Sequence, residues 1–175
     1  AVILGLPMNV AAEEACRGAG MKTYRSQGAS ASLKIFEKSL ADPYCQSDAV
    51  LQLNYAQALK SIVETDGNDV RACVAAEAFI LVQGNRSLTE AFRALAADGA
   101  TAVIEGCNAW VPSSTHADIK NMSTEAERVE KEGGDWLAAV FWRVVLRMNP
   151  DDIQAHRSLC RILPALGLKS MGDVR

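Results

Sequence analysis

The chain has little of what usually declares a chemistry. It holds two histidines, His116 and His156, in 175 residues, too few for a histidine-rich metal centre. Five prolines and an aromatic share of 6% suit packed helices better than a β-sandwich. A net charge of −3 leaves no basic footprint for nucleic acid. No run of roughly 18 apolar residues appears, so the sequence offers no transmembrane segment.

Cysteine pairing signals are also missing. The five cysteines (Cys16, Cys45, Cys73, Cys107 and Cys160) are scattered, odd in number and include no CxxC pair. Neither a zinc site nor a disulfide framework is indicated. They read mostly as small buried apolar residues of a reducing compartment, the cytoplasm or an organellar interior. The opening AVILGLP lacks an initiator methionine, as a chain processed after import would. It has no basic n-region and is too short for a signal peptide. GLPMN carries neither GxGxxG nor a Walker lysine.

What is present is apolar surface at helical spacing. Nearly half the residues (49%) are hydrophobic, and the length suffices for one domain with a core. Residues 1–28 read as an N-terminal arm. Val2, Ile3 and Leu4 suit a short strand or an extended arm, and Asn9 caps a short helix of VAAEEACR that Gly18 and Gly20 end. Residues 29–175 read as a single all-helical domain. ASASLKIFEKSLADP sets Ala31, Ile35 and Leu40 near one face, with Leu33 and Phe36 beside it, and Pro43 prevents continuation. Ser47 or Asp48 caps AVLQLNYAQALKSIVE, which Asp66-Gly67-Asn68 closes. VRACVAAEAFILVQ is so apolar that neighbours must cover most of it, and Gly84 ends it.

Further on, Ser87 and Glu90 form a capping box for LTEAFRALAA. That helix is expected to bury Leu88, Ala91, Phe92 and Leu95 and to stop at Asp98-Gly99. ATAVIEGCNAWVP leaves strand and frayed helix open. VPSSTHADIKNMS reads as the longest irregular connection. Thr124 and Glu127 then cap TEAERVEKEG, a charged surface helix. Asp135–Met148 is apolar around its circumference except for a stripe of Asp135, Arg143 and Arg147, so it must pack between neighbours on two sides. After a Pro-Asp-Asp turn, Ile153–Leu166 faces Ala155, Leu159, Ile162, Leu163 and Leu166 inward. Pro164 predicts a kink or an early end there. The count is roughly eight helices, mostly in antiparallel pairs.

The hairpin of residues 135–167 resembles a tetratricopeptide (TPR) repeat, a helix–turn–helix of roughly 34 residues. The second-helix half is Ala138-x3-Trp142-x2-Val145-x4-Pro150. The next first helix runs Ala155-His156, Leu159-Cys160, Leu163 and Gly167. His156 stands where the family often has tryptophan, and Cys160 where it has a small residue. A less complete copy spans 31–63, with Ser32-x3-Phe36-x2-Ser39 before Pro43, one residue early, and Asn54-Tyr55-Ala56-x-Ala58-Leu59. The resemblance implies antiparallel pairs stacked as a short TPR-like solenoid or bundle. It also implies a groove lined by first helices.

That groove sets the functional expectation: a non-enzymatic interaction scaffold, such as an adaptor, assembly factor or accessory subunit of a larger complex. Peripheral association with a membrane-bound complex fits the same reading. The polar row Gln154, Arg157 and Arg161 is the candidate partner site. By resemblance its upstream counterparts are Val50, Leu53, Gln57 and Lys60, while Asn54 fits one position of the family's chaperone-tail clamp. No cofactor is called for. Asp152, His156 and Cys160 fall at i, i+4 and i+8, but His156 and Cys160 occupy packing positions and no fourth ligand is evident. The alternatives are a thiol-dependent enzyme using Cys160 and His156, and a carrier of a small apolar ligand or pigment. Trp110, Trp136 and Trp142 read as core or helix-contact residues.

Overall fold

The computed structural model describes residues 8–168 apart from residue 68, with side chains from Glu14 onward. The readings of Val2–Leu4 and of the tail at 169–175 lie outside them. Among the described residues there are eight α-helices, one 3₁₀ turn and no strand. The helices are α1 (Met8–Gln27), α2 (Ala29–Ala41), α3 (Ala49–Asp66), α4 (Val70–Gln83), α5 (Glu90–Trp110), α6 (His116–Lys131), α7 (Asp135–Met148) and α8 (Ile153–Ala165). Consecutive helices pack on one another from α1 through α5 and again from α6 through α8, and α7 joins the two runs by packing on α4 and α2. The fold is the expected all-helical one.

The central helices form for the reasons their composition gives. Asp48 caps α3 by accepting from the N–H groups of Val50 and Leu51 at 3.0 and 3.1 Å. In α4 every residue from Ala72 to Phe79 is buried. In α7 Trp136 to Trp142 form an unbroken buried run. Its polar stripe does not reach water freely. Arg143 and Arg147 both pair with Glu77 of α4, itself 1% exposed. The helix is thus held between α4 and α6 by apolar contact and by one buried three-residue ionic cluster.

Several boundaries move. The first helix does not stop at Gly18 and Gly20 but runs to Gln27, where Gly28 turns the chain at φ 88°. Gly20 serves packing instead, because a Cβ there would overlap the Phe36 ring. That contact also rotates α2: Ser32, Phe36 and Leu40 are buried, while Ala31 is exposed and Ile35 is half-buried. Likewise α5 passes through Asp98-Gly99. Its N-cap is Thr89, whose hydroxyl accepts from Phe92, so no Ser87–Glu90 box forms. Its buried stripe is Ala96, Gly99, Val103 and Cys107, and Ala91, Phe92 and Leu95 are exposed. Close approach to α4 selects small residues, and the large ones are left outside.

The span expected to be irregular is mostly helix. Thr115 and Asp118 form the real capping box of α6, and Thr124 lies inside that helix, donating to the Lys120 carbonyl. Pro164 falls in the last turn of α8, which ends at once.

The cysteine reading is corrected most. Cys16 of α1 is bonded to Cys45 in the α2–α3 turn, and Cys73 of α4 to Cys107 of α5. Scattered spacing hid both pairs, because each joins neighbouring segments of an antiparallel stack about one helix pair apart. The expectation of a reducing compartment rested on unpaired cysteines, and that premise fails for four of the five. Cys160 is the free one and it is exposed. No described helix is long and apolar enough to cross a membrane.

Candidate binding cleft

A cleft of about 870 Å³, open to solvent, has α2 as one wall and α6 as the other. Its floor is apolar and comes from α3, α4 and α7: Leu59, Val74, Leu137 and Phe141, with Leu33 and Met122 leaning in from the walls. The helical spacing of α2 places Lys34, Glu37, Lys38 and Ala41 on the cleft side. Their partners across it are Glu125, Arg128 and Glu132, and Arg71 closes the end at the start of α4.

The rim charges differ in how far they are already engaged. Arg128 donates to Glu125 at 2.9 Å and to Glu132 at 2.7 Å on its own helix. Arg71 is held by Asp69 and Asp66, at 2.8 and 3.0 Å. In contrast, Lys34 and Lys38 make no hydrogen bond or ion pair with the described residues. They stand one helical turn apart on one wall, with Glu37, whose carboxylate Lys34 favours electrostatically, between them.

A buried polar pair sits at the base of the same wall. The Tyr55 hydroxyl, on a fully buried ring, donates to Glu37 Oε1 at 3.3 Å. Burial pushes the Glu37 carboxyl up, and the Tyr55 bond only partly opposes it. Burial, with the nearby Glu37 carboxylate, also drives the Tyr55 phenol well above its ordinary range, so it stays a neutral donor. The cleft is therefore apolar below, with Lys34 and Lys38 flanking Glu37 along α2 and two carboxylates to one guanidinium along α6.

The residues singled out from the sequence lie elsewhere. Gln154 donates to Glu127 of α6 at 2.7 Å, and Arg161 pairs with Glu130, whose other oxygen accepts the Trp142 indole N–H at 3.0 Å. These two share a polar notch between α6 and α8. Arg157 is exposed and makes no ion pair among the described residues. Asn54, Gln57 and Lys60 are half-buried on α3. Lys60 reaches Glu64 at 3.1 Å, and Ser61, one turn beyond Gln57, is tied to Tyr24 of α1 at 3.1 Å. The α3 and α8 sets are thus not brought together: the first lies beside α1 and the second against α6.

The His156–Cys160 pair also departs from expectation. Both are exposed rather than packed, because α8 rests mainly on α7 and leaves its outer flank open. A ring nitrogen of His156 is bonded to the Pro150 carbonyl at 2.7 Å, and no hydrogen bond joins it to Cys160. Asp152 is occupied as the cap of α8. No cluster of three or more metal-ligating side chains occurs among the described residues.

Helical periodicity on α2 does not reveal the cleft, because it sets Ala31 and Ile35 with Leu40 toward the core, whereas only Leu40 of the three is buried. Lys34 and Lys38 at i, i+4 were the available signal. Comparison with known families, with curated proteins and with solved structures finds no match.

Proposed function

We propose that the chain is a TPR-like helical scaffold that binds a partner protein in the α2–α6 cleft. One observation carries the reading: an open cleft with an apolar floor and two lysines on one wall that make no ion pair among the described residues. An apolar segment lying on Leu59, Val74 and Phe141 supplies affinity, and an acidic side chain at Lys34 and Lys38 fixes its orientation. The TPR-like part of the reading is supported by burial of Ala138, Trp142, Val145, Ala155, Leu159 and Leu163, all pattern positions of the hairpin. The two disulfides support an oxidising setting for the folded chain, since such bridges are rare where thiols are kept reduced.

The test is a native pull-down with partner identification, repeated with two charge-reversal variants. Lys34→Glu/Lys38→Glu is expected to lose the partner that wild type retains, and Arg157→Glu is expected to keep it. Both alter exposed positions, so folding is preserved. The reverse pattern, loss with Arg157→Glu and retention with the lysine variant, would move the interface to α8 and overturn the cleft.

A further inference from the structure

Helix α5 is the last of the run that begins at α1, and it packs mainly on α4. One of its flanks is covered. Ala100 and Ile104 are half-buried against the core there, and Arg93 turns back onto the carbonyls of Gln83, Asn85 and Leu88. On the opposite flank Ala91, Leu95, Ala102 and Ala109 are all exposed. Leu95 is 44% exposed and Phe92, one turn before it, is 40% exposed. Apolar surface gathered along one helix in this way marks an interaction site more often than single exposed residues do.

The apolar residues on that side follow a heptad. Phe92, Leu95, Gly99, Ala102, Gly106 and Ala109 alternate steps of three and four, the spacing that keeps one seam facing a partner helix. Gly99 is spent on the Phe79 ring of α4 and Gly106 is half-buried, so the open surface is the outer edge of the seam. From Ala102 onward no seam residue is larger than alanine, which leaves room for the large apolar side chains of a closely packed helix.

Charge chooses the partner. The exposed charges of α5 are Glu90, Asp98 and Glu105, all acidic. Asp98 and Glu105 each stand just before a seam residue, at the heptad position that meets the charged edge of an opposing helix. Neither makes a hydrogen bond or ion pair among the described residues. The equivalent positions on the other edge, Ala96 and Val103, are buried. The open edge of the seam is therefore acidic throughout. A second copy on a two-fold axis would pair the helices antiparallel and set these carboxylates against their own copies, which like charge opposes. An anionic membrane surface is opposed for the same reason.

We propose that this flank of α5 docks a basic amphipathic helix of a partner protein. Its large apolar residues seat on Leu95, Ala102 and Ala109, and its lysines or arginines face Asp98 and Glu105. The surface is separate from the α2–α6 cleft, whose described lining includes no residue of α5.

The probe is a fluorescent three-heptad peptide with leucine at the seam positions and lysine on both edges, titrated into the full chain and read by anisotropy. One control peptide carries glutamate in place of lysine, and another has the same composition in scrambled order. The lysine peptide is expected to saturate, with both controls about tenfold weaker or more. Asp98→Lys/Glu105→Lys alters exposed positions and should reverse the preference, so that the glutamate peptide binds more tightly. Ala102→Arg, also exposed, should weaken the lysine peptide by about tenfold or more by filling the seam. Lys34→Glu/Lys38→Glu should leave its affinity within about twofold of wild type, since charge away from the contact is screened. A tenfold change there would place the peptide in the cleft and overturn the proposal. So would absence of saturation up to about 1 mM peptide, equal binding of the scrambled peptide, or an unaltered preference in the charge-swapped protein. A chain that sediments as a dimer and becomes a monomer with Ala102→Arg would assign the flank to a second copy, which overturns it too.

Discussion

The side-chain oxygen of Gln46 accepts the backbone N–H of Trp136 at 3.1 Å, from 90 residues earlier in the chain. Helix α7 begins after Gly134, which has no side chain to satisfy its first N–H groups, so a residue from a distant turn acts as the cap. The bond ties the α2–α3 turn, already fastened to α1 through Cys45, to a helix with an unbroken buried run from Trp136 to Trp142. Gln46→Ala is expected to cost about 1–2 kcal/mol in urea unfolding. Gln46→Glu, which keeps an acceptor and adds charge suited to a helix N-terminus, should stay near wild type. Equal losses in both variants would mean that packing of the side chain, not the bond, matters.

Glu77 holds the other end of the same helix. It is 1% exposed and receives both Arg143 and Arg147 across the α4–α7 contact. Removing the acid leaves two poorly solvated cations facing apolar surface. Glu77→Ala should therefore destabilise by about 3–5 kcal/mol, whereas a Glu77→Leu/Arg143→Met double variant should recover much of that loss. Unfolding free energies of the two proteins decide between a required cluster and a replaceable one.

These two contacts show where the sequence was legible and where it was not. That α7 is enclosed follows from its composition, and so does the narrow stripe carrying Arg143 and Arg147. Their partner does not, because Glu77 reads as an isolated charge in an apolar helix until α4 and α7 are placed side by side. The cleft was hidden for a related reason. Periodicity selected Ala31, Ile35 and Leu40 as the core face of α2, but the gap left by Gly20 admits the Phe36 ring and turns the helix. Disulfide partners were beyond reach for want of any spacing rule between antiparallel neighbours. Local signals such as the Asp48 cap and the Gly67 and Gly84 stops were readable because they depend on a few adjacent residues.

The disulfides close separations of 29 and 34 residues. On the chain-entropy account each is worth about 3–4 kcal/mol relative to the reduced chain. The two should fail differently. Cys16→Ser/Cys45→Ser frees α1 from the turn, so hydrogen exchange should rise first in α1, which packs mainly on α2 and α3. Cys73→Ser/Cys107→Ser opens the α4–α5 contact at the core and should lower the melting temperature of the whole chain. Exchange that rises uniformly in both variants would show that α1 does not behave as a separable unit.

Glu37 gives a pH dependence with a definite sign. Burial raises its carboxyl above the ordinary glutamate value of 4.5, so the folded chain holds that proton more tightly than the unfolded one. Its contribution to stability is complete below pH 4.5 and is lost as pH rises through the raised folded value. Glu37→Gln keeps an oxygen for the Tyr55 hydroxyl and cannot ionise. The stability advantage of this variant over wild type should therefore grow from acid to neutral pH. Denaturation midpoints that run parallel from pH 4 to pH 8 would remove Glu37 as the cause.

Two glycines inside helices make opposite predictions from the same substitution. Alanine is favoured over glycine in a helix interior by about 1 kcal/mol, so Gly→Ala stabilises wherever the new methyl has room. At Gly18 the added Cβ would meet only Glu14 Cγ, at 3.5 Å, an ordinary contact. Gly18→Ala should raise stability by about 0.5–1 kcal/mol. At Gly99 the Cβ would run into the Phe79 ring, which is fully buried and has no space to retreat into. Overpacking of that kind costs about 1–3 kcal/mol and outweighs the propensity gain. Gly99→Ala should therefore destabilise, and Gly99→Ala/Phe79→Leu should recover part of the loss by making room. Thermal melts of the four proteins test whether α5 runs through Gly99 because α4 needs to come that close. A stabilised Gly99→Ala protein would mean that it does not.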